Sequence, residues 1–111
     1  MINKRVDSMA QALEGIKDGD VLLVGGFGTS GQPTELLTGI LELGAKDLTL
    51  VANNTTMGND IVADLMRANR IRKCVCSFPR GLLGRTIFDE LYFAGKIELE
   101  LVPQGTLAER I

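Results

Sequence analysis

The sequence contains no histidine and no tryptophan, and aromatic residues make up only 5% of its 111 residues. Without histidine, this chain alone cannot build a Ser-His or Cys-His nucleophile pair, and most kinds of zinc site are excluded. Its two cysteines, Cys74 and Cys76, would point the same way on a strand and could not easily bridge each other. We therefore expect two buried free thiols in a reducing cytoplasm, and no metal site.

Long apolar runs and clustered basic residues are also absent. No apolar stretch reaches the length of a transmembrane helix, and residues 1–7 lack the apolar segment of a signal peptide. Lysine and arginine total 12 against 14 acidic residues, and the most basic stretch, 67–73, is interleaved with apolar residues. We expect neither a membrane nor a nucleic-acid partner, and the 45% of hydrophobic residues indicates one globular domain over residues 1–111.

Four apolar runs predict the strands of a sheet, and each run ends at glycine, asparagine, serine or proline. They cover residues 21–24, 48–52, 71–76 and 97–102. The first two runs are almost continuously apolar, which is typical of strands covered on both faces. The fourth alternates between apolar and polar residues, which indicates a strand with one face in water.

Amphipathic segments between these runs predict helices over residues 9–16, 33–43, 60–68 and 86–94. A fifth helix is predicted from residue 107, with Thr106 and Glu109 as its capping box. Strands alternating with helices predict an α/β domain with a Rossmann-like parallel sheet, flanking helices and right-handed crossovers. Because the fifth helix has only begun at Ile111, we expect the domain to be truncated or completed by a partner.

A glycine-rich loop follows the first predicted strand and opens the second helix. It consists of Gly25, Gly26, Phe27, Gly28, Thr29, Ser30 and Gly31. In a parallel sheet this position is the carboxyl edge, where ligands bind. Glycines let a ligand approach the backbone closely, and the loop amides and the helix N-terminus would attract an anion or a developing oxyanion. The two hydroxyl side chains add further polar groups, so we predict that these seven residues bind the ligand.

Residues 26–31 also match the G-x-G-x-x-G pattern of dinucleotide sites. That fingerprint requires an acidic residue near the end of the next strand, where this sequence has Asn53 and Asn54 instead. NAD or FAD is therefore not favoured. A turn without a ligand and a loop that serves a CoA thioester remain as the other interpretations.

The segment GGFGTSGQPTELL resembles the signature of the family I CoA-transferases. The pair Asn53-Asn54 and the block 102–111 are similar to two further blocks of that family, in the same order and spacing. Segments 76–80, 88–92 and 95–100 are similar to the α subunits of the members that act on 3-oxoadipate. The resemblance covers the whole chain, although the family's α subunits are about twice as long.

This resemblance implies a CoA-transferase subunit that helps to move CoA from succinyl-CoA to 3-oxoadipate, with the CoA thioester as a substrate and no permanently bound cofactor. It also implies a partner β subunit, whose glutamate forms the covalent thioester. In the family that glutamate lies in a Glu-Asn-Gly block, which this sequence lacks. We therefore expect the chain alone to be inactive. An acetoacetate-directed transferase and a non-catalytic nucleotide- or phosphate-binding module are the alternatives.

Asn53 and Gln104 match the family positions whose side-chain amides face the thioester carbonyl. The resemblance therefore implies that they are catalytic donors to an oxyanion. Both residues follow a predicted strand. The alternatives are that Asn53 is a turn residue and that Gln104 is an ordinary loop residue. The acidic residues Glu90, Glu98, Glu100 and Glu109 are interpreted as surface or interface charges.

Overall fold

The computed structural model describes residues 1–81 and 83–111. Helices and strands alternate along these residues, which confirms the predicted α/β class. The helices are α1 (Met9–Ala12), α2 (Thr34–Leu43), α3 (Ile61–Arg67), α4 (Ile87–Phe93) and α5 (Gln104–Arg110). The strands are β1 (Val21–Leu23), β2 (Leu48–Val51), β3 (Ile71–Cys76) and β4 (Glu98–Leu101). None of the helices described is both long and apolar enough to span a bilayer.

The four strands form one parallel sheet in the order β1-β2-β3-β4, which is also their order in the chain. Every crossover therefore steps to the next strand in the same direction. Crossovers of one hand then put the connecting helices on one face of the sheet. Residues of α2, α3 and α4 share a single core cluster with β2 and β3, including Leu37, Leu65, Phe88, Leu50 and Cys74.

The opposite face of the sheet carries a second, smaller cluster. Val51 and Val75 pack there against Val102 and against Leu107 of α5. At β1 this face is open, because Val21 and Leu23 are each about 60% exposed. The prediction that β1 is covered on both faces is therefore wrong, whereas all four residues of β2 are buried, as predicted. The reason is that α5 packs on Val51 of β2 and Val75 of β3 and leaves the edge strand β1 uncovered, which the apolar composition of the run does not reveal.

The first and last helices differ from their predicted bounds. Helix α1 ends at Ala12, and the backbone leaves the helix before Gly15, whose φ is +91°. Helix α5 begins at Gln104 with Pro103 as its N-cap, so Thr106 lies inside the helix and the predicted capping box with Glu109 is wrong. Proline suits this position because the first helical residues have no intrahelical acceptor for their N–H groups.

The three middle helices lie within about one residue of their predicted bounds, because their end signals are local. Gly44 ends α2 in the left-handed conformation. Asp60 caps α3, and Thr86 with Asp89 forms a capping box at α4. These helices form the covered side of the sheet and hold the strand ends, and therefore the loops of the site, in place.

We predict that Asp60 contributes more to the stability of the fold than any other residue of the loop that follows β2. Its carboxylate accepts hydrogen bonds from the Ala63 amide (2.9 Å), the Thr56 hydroxyl (2.8 Å) and the Met57 amide (2.8 Å). Asp60→Ala removes all three acceptors and should lower the free energy of unfolding by about 2–3 kcal/mol, measured by urea denaturation. In the control Asp64→Ala, an exposed pair with Arg67 is lost, at a cost of at most about 1 kcal/mol. Equal losses would show that the cap has no special role.

Both cysteines are buried free thiols, as expected, and Cys74 belongs to the helix-covered core cluster. Burial raises the pKa of Cys76 to about 11. The pKa of Cys74 is raised still higher, mainly by burial and to a smaller extent by the nearby Cys76. We predict that at about pH 8 iodoacetamide alkylates neither thiol in the folded chain and both in urea, as counted by mass spectrometry. Stability should be intact below the thiols' ordinary pKa and fall as pH rises toward 11, because the unfolded chain ionises first. Rapid alkylation of the folded chain would contradict this prediction.

Candidate functional site

The candidate site lies at the carboxyl edge of the sheet, where all four parallel strands end. The glycine loop follows β1, and Asn53 and Asn54 follow β2. The segment from Ser77 to Arg80 follows β3, and Gln104 begins the helix after β4. Strands with the same direction bring these four distant segments of the chain to one edge.

The glycine loop folds into a tight turn. The Phe27 amide donates to the Ser30 carbonyl (2.9 Å), and the Ser30 amide donates back to the Phe27 carbonyl (3.1 Å). Gly26 has φ of +119°, and a Cβ there would lie 3.1 Å from both the Gln32 nitrogen and the Ser30 oxygen. Glycine is therefore required at position 26 by the turn itself, independently of any ligand.

Several loop amides are occupied within the protein. Besides Phe27 and Ser30, the Gln32 amide donates to the Thr29 carbonyl (3.3 Å), and the Gly28 amide donates to the Asn54 side chain (2.9 Å). At the start of α2, Pro33 has no N–H group and the Thr34 amide donates to the Gln32 carbonyl. Fewer backbone donors are therefore available to an anion than the glycine pattern suggests.

Asn54 connects the glycine loop to the end of β2. The residue is only 7% exposed, and its Oδ1 accepts both the Gly28 amide and, at 3.4 Å, the Nδ2 of Asn53. The two segments joined in this way are 26 residues apart in the chain. The sequence pattern marks the Asn-Asn pair. The alternation of side chains at a strand end is the one signal that could distinguish the buried residue from the one that faces the site.

Asn53 and Gln104 are in direct contact. Gln104 Nε2 donates to Asn53 Oδ1 at 2.5 Å, although the residues are 51 positions apart. Each side-chain amide carries two N–H hydrogens, so one hydrogen on each residue is left for a further acceptor. Gln104 occupies the first turn of α5 rather than a loop, which fixes its backbone beside the end of β2. Two neutral donors are therefore held next to each other at the edge of the sheet.

Two cavities meet at Asn53. We name the first, of about 330 Å³, the amide cleft: it lies between the start of the glycine loop and α5, and its lining includes Gly25, Gly26, Asn53, Gln104 and Leu107. We name the second, of about 120 Å³, the arginine pocket: its lining includes Phe27, Gly28, Asn53, Phe78 and Arg80. Of the predicted ligand-binding residues, Thr29, Ser30 and Gly31 line neither cavity.

The charges around the two cavities are few. Within the described part of the chain, Arg80 has the only charged side chain that lines either cavity, and no side-chain carboxylate does so. Glu100 instead lies outside both cavities on the sheet face that α5 covers, where Arg110 (2.7 Å) and Lys73 (3.0 Å) pair with it. Hydrogen bonds from Arg110 and then Lys73 lower the pKa of the Glu100 carboxyl. Glu90, Glu98 and Glu109 are exposed surface residues.

No group of three or more cysteine, aspartate or glutamate side chains comes together as a possible metal site in residues 1–81 and 83–111. The cavities instead offer amide donors, glycine backbone, apolar walls and one guanidinium. Such a lining can bind a polar carbonyl and short aliphatic segments, and can stabilise negative charge on an oxygen.

Comparison with known proteins gives the same family from sequence. The model of the family described as "Coenzyme A transferase" matches residues 6–111. Two subunits named for 3-oxoadipate CoA-transferase, from Pseudomonas putida and Acinetobacter baylyi, are 57% and 52% identical over all 111 residues, and the match covers 48% of each of them. A protein of Bacillus subtilis named as a probable succinyl-CoA:3-ketoacid coenzyme A transferase subunit is 40% identical over 99% of the chain and 45% of its own length. The chain therefore spans about half the length of these relatives.

A solved structure supports the fold. The crystal structure of a variant of the decarboxylase AibA/AibB superposes with a TM-score of 0.70 over 87% of this chain and 38% of its own, at 22% identity. At that identity the likeness concerns the fold alone. The family model, in contrast, matches almost every residue, including the glycine loop, both asparagines and Gln104. By this match over residues 6–111, the chain belongs to the coenzyme A transferase family.

Proposed function

We propose that this chain forms part of the α subunit of a CoA-transferase that moves CoA from succinyl-CoA to 3-oxoadipate. The observation that carries the proposal is the contact between Asn53 and Gln104 beside the glycine loop, which presents two amide donors to one point at the sheet edge. The identity of 57% and 52% to two proteins named for 3-oxoadipate, against 40% to the Bacillus subtilis protein, supports this acceptor.

The proposed reaction proceeds by covalent catalysis. The thioester carbonyl of succinyl-CoA is attacked by a glutamate carboxylate of the β subunit, and the carbonyl oxygen becomes a tetrahedral oxyanion. The CoA thiolate leaves and then attacks the glutamyl carbonyl of the mixed anhydride, which releases succinate and leaves CoA as a glutamyl thioester. In the second half, 3-oxoadipate attacks that thioester and the same steps run in reverse, so that the glutamate is regenerated.

In this scheme Asn53 and Gln104 donate their remaining N–H hydrogens to the oxyanion. Neutral amides suit this role because they stabilise developing negative charge without themselves being attacked. Gln104 is exposed on the side of the amide cleft, so its donor can reach a substrate without desolvating a buried group. The Asn54 hydrogen bonds hold both the glycine loop and Asn53 in position before the substrate arrives.

The nucleophile is proposed to come from the partner subunit. Neither cavity is lined by a side-chain carboxylate within the described residues, so the attacking group must approach from outside this part of the chain. We assign the amide cleft to the thioester and the arm of CoA that follows it, with Gly25 and Gly26 permitting close approach. Thr29, Ser30 and Gly31 lie farther out on the same loop, where their exposed groups would contact CoA beyond that arm.

The alternatives are less well supported. A dinucleotide site needs an acceptor for the ribose at the end of β2, where Asn53 instead accepts from Gln104. A phosphate-binding loop needs free amides, and those of Phe27, Gly28 and Ser30 are occupied. An acetoacetate-directed transferase is less favoured, because the two relatives named for 3-oxoadipate are more similar to this chain than the Bacillus subtilis protein is. We also propose a cytoplasmic location, since the two free thiols suit a reducing compartment.

The proposal predicts that activity requires both subunits. The chain alone should form no covalent thioester with succinyl-CoA, because it contributes donors but no nucleophile. The full-length α subunit mixed with the β subunit should form one and transfer CoA to 3-oxoadipate. Borohydride reduction followed by peptide mass spectrometry measures this directly. A reduced glutamate on this chain, or an assembled enzyme that transfers no CoA, would contradict the proposal.

Gln104→Ala in the assembled enzyme should lower kcat by about 10²–10³-fold, or roughly 2.7–4 kcal/mol, with much less effect on KM. Loss of a donor that acts only on the oxyanion affects the transition state rather than substrate binding. Asn53→Ala should behave similarly, and the double variant should show less than the sum of the two losses, because both donors serve one oxygen. Steady-state kinetics with succinyl-CoA and 3-oxoadipate measure all three variants.

Two controls test the assignment of Gln104. Gln104→Glu keeps the size of the side chain but cannot donate as a carboxylate, so it should lose at least as much activity as the alanine variant. Gln11 lies in α1, away from both cavities, and Gln11→Ala should leave the kinetics unchanged. A rise in KM at constant kcat would instead make Gln104 a residue that binds the ground state.

A further inference from the structure

The arginine pocket combines apolar walls with a single cation. Phe27, Met57 and Phe78 line it, and Phe27 and Phe78 are 68% and 50% exposed although both are large aromatic residues. At about 120 Å³ it is smaller than the roughly 300–1,000 Å³ of sites that enclose drug-sized ligands. The pocket is therefore suited to a short aliphatic chain and is too small for the nucleotide part of CoA.

Asn53 fixes how such a chain would lie. It forms part of the wall of both cavities, so a carbonyl held by Asn53 and Gln104 has the amide cleft on one side and the arginine pocket on the other. A thioester has two substituents on its carbonyl carbon, the sulfur with its CoA arm and the acyl chain. With the CoA arm in the larger amide cleft, the acyl chain enters the arginine pocket.

Arg80 is held by contacts from α4. Its Nε lies 3.5 Å from Asp89 Oδ1, and its guanidinium carbon lies 5.9 Å from the centre of the Phe93 ring. Asp89 is only 4% exposed, and its other oxygen accepts from the amide and hydroxyl of Thr86, which fixes its position. These contacts use the Nε edge of the guanidinium.

The terminal nitrogens of Arg80 donate to no protein group in the described part of the chain. A guanidinium in this state offers two parallel N–H groups that match a carboxylate. Asp89 pairs with Arg80 from the α4 side, and no carboxylate lines the arginine pocket itself among the residues that the structure describes. The partner that fits is a carboxylate carried by the acyl chain, at the end remote from the thioester.

We propose that Arg80 binds the remote carboxylate of the acyl group and thereby selects dicarboxylic over monocarboxylic substrates. The inference rests on the proposed function, because it needs a thioester carbonyl at Asn53. Succinyl-CoA and the CoA thioester of 3-oxoadipate both carry a free carboxylate at the remote end, so one guanidinium serves both half-reactions. A monocarboxylic acyl group would place a methyl group against Arg80, so the terminal N–H groups would gain no carboxylate partner from the substrate.

The test compares two acceptors that differ only at that end, 3-oxoadipate and 3-oxohexanoate, in the full-length enzyme with succinyl-CoA as donor. In a double-displacement reaction, kcat/KM for the acceptor does not depend on the donor half. The unmodified enzyme should prefer 3-oxoadipate by about 10- to 100-fold, the range expected for a charge-assisted pair. Arg80→Met should reduce this preference to within about threefold of unity, mainly by raising KM for 3-oxoadipate.

Two further variants separate recognition from folding. Arg80→Lys keeps the charge but not the paired N–H geometry and should retain part of the preference. Arg85→Met is the matched control, because Arg85 also packs over the Phe93 ring (5.4 Å) but does not line the arginine pocket. It should leave the preference unchanged, and thermal unfolding should show that each variant is folded.

The outcomes distinguish this inference from the proposed function on which it rests. If the unmodified enzyme transfers CoA but prefers neither acceptor, or if Arg80→Met lowers kcat/KM for both acceptors equally, the proposed function stands and the role of Arg80 is wrong. If Arg85→Met shifts the preference as much as Arg80→Met, specific pairing at Arg80 is also excluded. If the unmodified enzyme transfers CoA to neither acceptor, both the proposed function and the inference fail.

Discussion

Parallel pairing of four strands in chain order is the constraint on which the rest of the structure depends. It brings the carboxyl end of every strand to one edge, so that segments far apart in sequence meet there. It also places α2, α3 and α4 against one face, where a single apolar cluster covers the sheet. The opposite face is covered only where α5 packs on Val51 and Val75 within the described residues, and this packing sets the position of Gln104.

The site depends on three side-chain amides that are linked in a row by hydrogen bonds. Asn54 is buried and ties the glycine loop to β2, while Asn53 beside it contacts both Asn54 and Gln104. Asn54, at one end of this row, is fixed by burial, and Gln104, at the other end, remains open to solvent. In the proposed function this arrangement would orient the two amides before a substrate binds, which is the condition under which a donor stabilises a transition state without further reorganisation.

The distribution of charge distinguishes the two cavities from the rest of the described surface. The acidic residues of the described chain lie at helix caps, at surface positions and in ion pairs such as that of Glu100 with Lys73. The two cavities are instead lined by neutral amides and by one arginine. Under the proposed function, such a surface would bind and polarise a thioester but not attack it. An attacking carboxylate from the proposed partner subunit would then meet the substrate without a second negative charge nearby.

The sequence by itself determined the α/β class, the positions of the four strands and the bounds of α2, α3 and α4, because apolar periodicity and helix caps are local signals. It also marked the blocks that contain the glycine loop, Asn53 and Gln104. Only the tertiary structure decided that β1 is an edge strand, that Asn54 is buried, that Asn53 contacts Gln104 and that Arg80 shares a cavity with Asn53. These features depend on contacts between residues far apart in the chain, and no local pattern encodes them.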